Sequence, residues 1–167
     1  MLLLILAASV LIYLAVVWND LLHRSIPDVL SIAIVGFAIL RLSVAPHTDT
    51  VFATLATTAI VFLIGLFFFA RGWLGGGDVK LVSATILLVG AEAALSFLLL
   101  MALAGGVLSV LVLIWASVNS RRARRQATTV PDARDIDAVA PPPISVPYGV
   151  AISFSAILVL FPQLYQR

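Results

Sequence analysis

The chain has 167 residues, of which 62% are hydrophobic and 11% are charged, with a formal net charge of +2. Soluble domains carry about 25% charged residues, so this composition excludes an ordinary soluble domain and a disordered chain. The absence of cysteine excludes a disulfide scaffold, a zinc ribbon, an iron–sulfur site and a thiol nucleophile. The class that remains is a small polytopic membrane protein with an all-α fold.

Long stretches without charge predict the membrane helices, because a spanning helix needs about 20 mostly apolar residues. The first stretch lacks the basic start of a signal peptide, so we keep it as a span. The fourth stretch is too short to cross the membrane unless residues of the segment before it also enter the membrane. Merging it with the fifth would give one helix over 79–118, too long for one crossing. The six predicted spans are residues 2–18, 29–45, 51–70, 79–91, 93–118 and 147–164.

Lys and Arg residues are distributed unevenly between the predicted loops. Short loops rich in Lys and Arg face the cytoplasm. With the N-terminus outside, the inner side holds eight of the ten, and Arg41, which we expect to snorkel to the interface, lies outside with Arg167. We therefore predict both termini outside. The inner eight are Arg24, Arg71, Lys80, Arg121, Arg122, Arg124, Arg125 and Arg134.

The longest polar segment, residues 119–146, is basic first, then acidic and finally rich in proline. It has no apolar periodicity, so we predict a flexible cytoplasmic loop within a single membrane domain that spans residues 1–167. The arginine run over 121–125 is interpreted as an anchor against anionic headgroups. The expected partner of this segment is the lipid bilayer, and no nucleic-acid partner is expected.

Two carboxylates lie near the predicted inner face. Asp20 ends the first helix, and Asp78 follows the glycines at 75–77 and precedes the fourth helix. When two carboxylates share a partly dry site, one pKa rises, so one group serves as acid and the other as base. Such a pair can activate water against a peptide carbonyl. The structural alternative is that Asp78 caps the fourth helix. Glycine-rich backbone at membrane depth is tolerated where it lines a cavity.

Three short segments of the sequence form a recognisable set. Gly-Gly-Gly-Asp-Val-Lys-Leu over 75–81 contains the pattern G-x-G-D. Asp-Leu-Leu-His-Arg-Ser-Ile-Pro-Asp occupies 20–28, and Val-Pro-Tyr-Gly occupies 146–149. The three resemble the G-x-G-D signature, the first catalytic segment and the opening of the last helix of one family, the type IV prepilin peptidases. They occur in the family's order, and the region that they span covers nearly the whole chain.

The resemblance implies a membrane-embedded aspartic endopeptidase that cleaves the basic leader of prepilins at the cytoplasmic membrane face. It makes Asp20 and Asp78 the catalytic pair. The resemblance gives supporting roles to other motif residues and a role in shaping the substrate site to the opening of the last helix. The supporting residues are Gly75, Gly77, Lys80, Arg24, Pro27 and Asp28, and the shaping residues are Pro147, Tyr148 and Gly149.

Two departures from the family pattern concern Asp28 and the N-terminus. Asp28 stands where asparagine is usual, which places a further acid near Asp20, either protonated or paired with Arg24. The longer family members carry an N-terminal extension with Cys-x-x-Cys motifs, linked to N-methylation. This sequence resembles the short form that serves Flp-type pili, so N-methylation is not predicted from it. Lys80 is interpreted either as a headgroup anchor or as a catalytic helper.

Other functions remain open from the residues alone. Intramembrane carboxylates also occur in small transporters and channels, although the charges here cluster at one face. A non-enzymatic secretion-system assembly protein could use the basic loop for docking, and an archaeal preflagellin peptidase would share the two aspartate motifs. His23 and His47 are isolated, so we expect no metal site and no cofactor. The expected partner is a prepilin or pilin-like membrane substrate.

Overall fold

The computed structural model describes residues 2–24, 26–43, 48–127 and 147–165. These residues form six helices, as predicted, with no strand among them. The break at Gly90 separates the fourth helix from the fifth, so the six-helix division rather than the five-helix one is confirmed. The helices are α1 (Leu2–His23), α2 (Asp28–Ser43), α3 (Thr48–Ala70), α4 (Gly76–Val89), α5 (Ala91–Ala127) and α6 (Tyr148–Tyr165).

Two helices are long and apolar enough to cross a membrane, namely α3 and the part of α5 over Ala91–Asn119. Shorter apolar helices cover Ala7–His23 and Tyr148–Pro162. The number of helices is therefore as predicted, but six membrane spans are not established by length and composition. Most side chains of α3 are exposed, as those of Phe52 and Leu63 are, and the same holds for the apolar part of α5. Such a surface suits lipid.

Several predicted boundaries are wrong by a few residues. α1 continues past the predicted end at residue 18 to His23, so Asp20 lies within its last turns. α4 begins at Gly76, because two of the three glycines join the helix, and α5 continues to Ala127. The first part of the predicted loop over 119–146 is therefore helical. The rest of that loop, 128–146, lies outside the described residues.

The chain divides into two compact units, one of Met1–Gly105 with Pro147–Arg167 and the other of Gly106–Val146. The described part of the second unit is helical. In the first unit, α4 lies in the middle and packs against α2, α3 and α6, while α1 packs against α2 and α6. The fully buried large side chains of this unit are Tyr13, Val16, Ile34, Thr54, Leu81, Ile86, Leu88, Val89, Phe97, Ile152 and Leu160.

Gly90 forms the turn between α4 and α5 with a φ of 91°. This region of φ strains residues with a Cβ, so the turn requires glycine. Close to this turn, Arg41 donates a hydrogen bond from Nη1 to the backbone carbonyl of Leu88 in the last turn of α4. Instead of only snorkelling to the interface, Arg41 binds a carbonyl that has no partner within its own helix. Thr54 accepts from the N–H of Ala91 at the start of α5 (3.2 Å).

Candidate active site

Asp20 is buried, with 5% of its surface exposed, at the point where α1 meets the first turn of α6. Its Oδ2 accepts a hydrogen bond from the backbone N–H of Val150 at 3.2 Å, and the carboxylate also accepts from the N–H of Gly149. The first N–H groups of a helix have no partner within it, and their dipoles favour a nearby negative charge. Asp20 therefore caps α6 from another helix.

Asp20 lies beyond the predicted span 2–18, and its pKa is raised above its ordinary value. Burial is the largest cause, because a carboxylate loses hydration there. The N–H groups of Val150 and Gly149 and the charge of Arg24 act in the opposite direction, since each stabilises the anion. Asp20 thus combines a dry environment with several groups that favour its charged form.

Asp78 lies in the first turn of α4, just before the predicted span 79–91, and it is half-buried. Its carboxylate accepts a hydrogen bond from the N–H of Gly75, the residue that precedes the helix. Gly75 rather than Asp78 occupies the N-cap position of α4, so Asp78 acts on the start of the helix only through this bond from within the first turn. Asp78 also has a second property. Burial and the nearby negative charge of Asp20 raise the pKa of Asp78 to about 6. The two carboxylates are thus close enough to interact electrostatically.

Two further contacts join the segment around Asp28 to the glycine-rich segment. Gly77 lies against Ile26, since a Cβ on Gly77 would be 3.4 Å from the Ile26 Cβ. The Nζ of Lys80 forms an ion pair with Oδ1 of Asp28 at 2.8 Å. Asp28 therefore pairs with Lys80, which corrects the predicted alternative of a pair with Arg24. Lys80 thereby connects two segments in addition to any contact with headgroups.

Arg24 and Pro27 form the corner between α1 and α2. The N–H of Arg24 donates to the carbonyl of Asp20 at 3.0 Å, and Arg24 adopts a φ of 50° that ends α1. A non-glycine residue with positive φ is uncommon and is often found at functional sites. The carbonyl of Pro27 accepts from the N–H of Leu30 at 3.1 Å as α2 begins. The side chains of both corner residues are exposed.

Gly149 lies against the Asp20 carboxylate at the start of α6. A Cβ on Gly149 would lie 2.8 Å from Oδ2 of Asp20, which is closer than real Cβ contacts allow. Pro147 precedes the helix, and its carbonyl accepts from the N–H of Val150 at 3.2 Å. Tyr148 is partly exposed and its ring lies near Gly105. The motif thus positions backbone N–H groups against Asp20.

The geometry brings together all three segments that the sequence singled out. Sequence reasoning missed Val150 and Ile26, because a backbone N–H donor and an apolar contact leave no chemical signature in a sequence. Within the described part of the chain, no three His, Asp or Glu residues lie close enough to hold a metal ion. Two interacting carboxylates, one of which accepts hydrogen bonds from backbone N–H groups, can transfer protons to and from a water molecule.

A family model described as the type IV leader peptidase family matches residues 5–110 of the chain. The matched region includes both aspartates and ends before α6. The chain has no significant match among the curated proteins. It likewise has no significant match among the solved structures.

Proposed function

Since the chain belongs to the type IV leader peptidase family, we propose that this peptidase is an aspartic endopeptidase that cleaves the basic leader of a prepilin-like substrate. Family membership and the two long apolar helices make it a membrane protein. We further propose that the whole chain acts as one multi-pass domain in the prokaryotic cytoplasmic membrane. Its catalytic aspartates, Asp20 and Asp78, would face the cytoplasm.

One observation carries this proposal: Asp20 and Asp78, from separate helices, are close enough for the charge of one to raise the pKa of the other. Hydrolysis of a peptide by water needs a base for the water proton and an acid for the carbonyl oxygen. Two interacting carboxylates that hold a single proton supply both, and they titrate as a unit. Neither a metal nor a nucleophilic side chain takes part in this proposal.

The surroundings of the two groups support an assignment of the shared proton. Asp20 accepts hydrogen bonds from N–H groups at the start of α6 and lies near the positive charge of Arg24. Its ionised form is therefore stabilised more than that of Asp78. Asp78 has the N–H of Gly75 but faces the charge of Asp20. We therefore assign the proton to Asp78 in the resting enzyme. Asp20 then serves as general base and Asp78 as general acid.

The reaction proceeds by attack of water on the scissile carbonyl carbon. Asp20 accepts a proton from the water as its oxygen bonds to that carbon, and Asp78 donates its proton to the carbonyl oxygen, giving a neutral gem-diol. The carbon–nitrogen bond then breaks. The leaving amine takes the proton from Asp20, and a gem-diol hydroxyl returns a proton to Asp78. The pair thus recovers its initial state.

Cleavage of a co-expressed prepilin with a basic leader tests this proposal. Asp20→Asn and Asp78→Asn should each abolish leader removal while the variants still insert into the membrane. Asp49→Asn is the matched control, because Asp49 is an exposed acid in the first turn of α3. It should cleave like the wild type. Near-normal cleavage by either active-site variant would remove that aspartate from the mechanism.

Sensitivity to chelators tests the absence of a metal from the mechanism. Activity should survive EDTA, and it should survive serine- and cysteine-directed reagents, since the chain has no cysteine. Loss of cleavage with EDTA and recovery with zinc would contradict the two-carboxylate mechanism.

A further inference from the structure

A buried hydrogen bond links the two helices that carry the aspartates. The hydroxyl of Tyr13 on α1 donates to Oγ1 of Thr85 on α4 at 3.0 Å, and both residues are fully buried. The Thr85 hydroxyl donates in turn to the carbonyl of Leu81 at 2.8 Å. Both hydroxyl groups therefore have defined partners inside an otherwise apolar core, where an unmatched hydroxyl is costly.

The positions of these residues relative to the aspartates are symmetrical. Tyr13 precedes Asp20 by seven residues, and Thr85 follows Asp78 by seven. Seven residues make about two helical turns, or roughly 10 Å along the axis, so each hydroxyl lies on the same helix face as its aspartate. α1 and α4 therefore interact at two levels: the hydroxyls form a hydrogen bond at one, and the carboxylates interact electrostatically at the other.

The remaining packing of α1 and α4 is indirect. α1 packs mainly on α2 and α6, and α4 packs mainly on α2, α3 and α6. Apolar contacts tolerate small displacements of one helix along another, whereas a hydrogen bond has a narrow range of length and angle. The Tyr13–Thr85 bond is thus well suited to fix the axial register of α1 against α4.

We propose that the Tyr13–Thr85 hydrogen bond sets the separation between Asp20 and Asp78, which makes Tyr13 and Thr85 positioning residues for catalysis. This inference rests on the proposed function, because it assumes that the two carboxylates share one proton during cleavage. A displacement of about 1 Å at a reacting group can reduce a rate by up to about a hundredfold. Sequence reasoning missed both residues. The signal available was a hydroxyl two turns from each aspartate.

Steady-state cleavage of a purified prepilin by the full-length enzyme tests the proposal. Tyr13→Phe and Thr85→Val each remove the bond with little change in volume, and Thr85→Ser retains the hydroxyl. Ser9→Ala and Ser83→Ala are matched controls, because each removes a buried hydroxyl whose hydrogen bond stays within its own helix, to Ile5 and Val79 respectively. Thermal unfolding of every variant is measured in parallel.

We expect Tyr13→Phe and Thr85→Val to lower kcat by about tenfold or more with KM changed by less than about twofold. The double variant should be no worse than the poorer single one, because both remove the same bond. Thr85→Ser and the two serine controls should stay within about twofold of the wild type. The pH range of activity should narrow in the two bond-deleting variants, because carboxylates that move apart repel less and their apparent pKa values converge.

A rate and pH profile for Tyr13→Phe that match those of Ser9→Ala would overturn the proposal. A smaller amount of active enzyme with an unchanged pH range of cleavage would overturn the proposal as well. That result would mean that the bond stabilises the fold without positioning the carboxylates. Asp20→Asn and Asp78→Asn are assayed alongside. If they cleave normally, the proposed function fails; if they are inactive while Tyr13→Phe is unaffected, only the positioning role fails.

Discussion

Gly149 lies so close to Asp20 that a Cβ on it would come within 2.8 Å of the carboxylate oxygen Oδ2. The contact brings the backbone of the α6 first turn, with the N–H groups of Gly149 and Val150, against a buried acid. Any side chain at this position must displace either the carboxylate or the helix. The Pro-Tyr-Gly motif therefore acts on Asp20 through its backbone.

Gly149→Ala should reduce prepilin cleavage by about a hundredfold, because the added methyl group moves Asp20 away from its N–H donors. The matched control is Gly36→Ala in α2, where an added Cβ would meet no atom within 4 Å. That control should retain activity and gain up to about 1 kcal/mol of stability from the better helix propensity of alanine. The measurement is cleavage rate together with the thermal unfolding midpoint. Equal activity of the two variants would contradict the role given to Gly149.

Asp28→Asn should leave cleavage within about twofold of the wild type. The side chains of Asp28 and Lys80 are 63% and 53% exposed, and such exposed ion pairs contribute only about 0–1 kcal/mol. The amide oxygen of asparagine can still accept a hydrogen bond from the Lys80 ammonium. Cleavage rates of the two proteins check this expectation.

A charge swap tests whether Asp28 and Lys80 pair in the working enzyme. Lys80→Glu places two like charges together and should reduce activity severalfold. The double variant Asp28→Lys with Lys80→Glu should recover much of it, because the pair is rebuilt in reverse. A double variant as poor as Lys80→Glu alone would show that the ion pair does not hold the two segments together.

The pKa of Asp78 makes stability depend on pH with a definite sign. Burial and the Asp20 charge raise that pKa from 3.8 to about 6, so ionisation is harder in the folded protein than in the unfolded chain. The unfolded chain therefore loses its proton first, and this group's contribution to stability falls as pH rises from about 4 to about 7. Asp78→Asn should remove the penalty. Its unfolding midpoint in detergent should increasingly exceed that of the wild type over this interval.

Repeating this measurement in a variant that lacks the Asp20 charge separates the two causes that raise the pKa of Asp78. In a protein that already carries Asp20→Asn, the neighbouring charge is gone and only burial still raises the pKa of Asp78. The stability gain from Asp78→Asn at neutral pH should therefore be smaller there than in the wild type. An equal gain in both backgrounds would mean that the two carboxylates do not interact.

Single cysteines at the two ends of α3 test the membrane orientation. The chain has no native cysteine, and α3 runs over Thr48–Ala70, about 35 Å of helix, with Trp73 exposed just beyond it. The Lys and Arg distribution predicts that Thr48 faces outside and Trp73 faces the cytoplasm. In intact cells, Thr48→Cys should react with an impermeant thiol reagent and Trp73→Cys should react only after permeabilisation. Labelling of both in intact cells would contradict the cytoplasmic placement of Asp78.

The sequence alone determined the helical class, the number of helices and the two aspartates to consider. Long runs without charge are stable only in lipid or in a helical core, so they predict apolar helices. G-x-G-D and Pro-Tyr-Gly are short patterns of neighbouring residues, so they can be recognised without a structure. The helix ends were less well determined. α4 begins at Gly76 and α5 continues to Ala127, because glycine and polar residues lower helix propensity without by themselves ending a helix.

Only the tertiary structure decided which groups meet. The Asp28–Lys80 pair, the Tyr13–Thr85 bond and the cap of α6 by Asp20 join residues from 52 to 130 positions apart. Such partners depend on how helices pack and on their axial register, which composition and spacing within one helix do not encode. The raised pKa values of Asp20 and Asp78 follow from the same packing, because burial raises both and the charge of Asp20 raises that of Asp78 further.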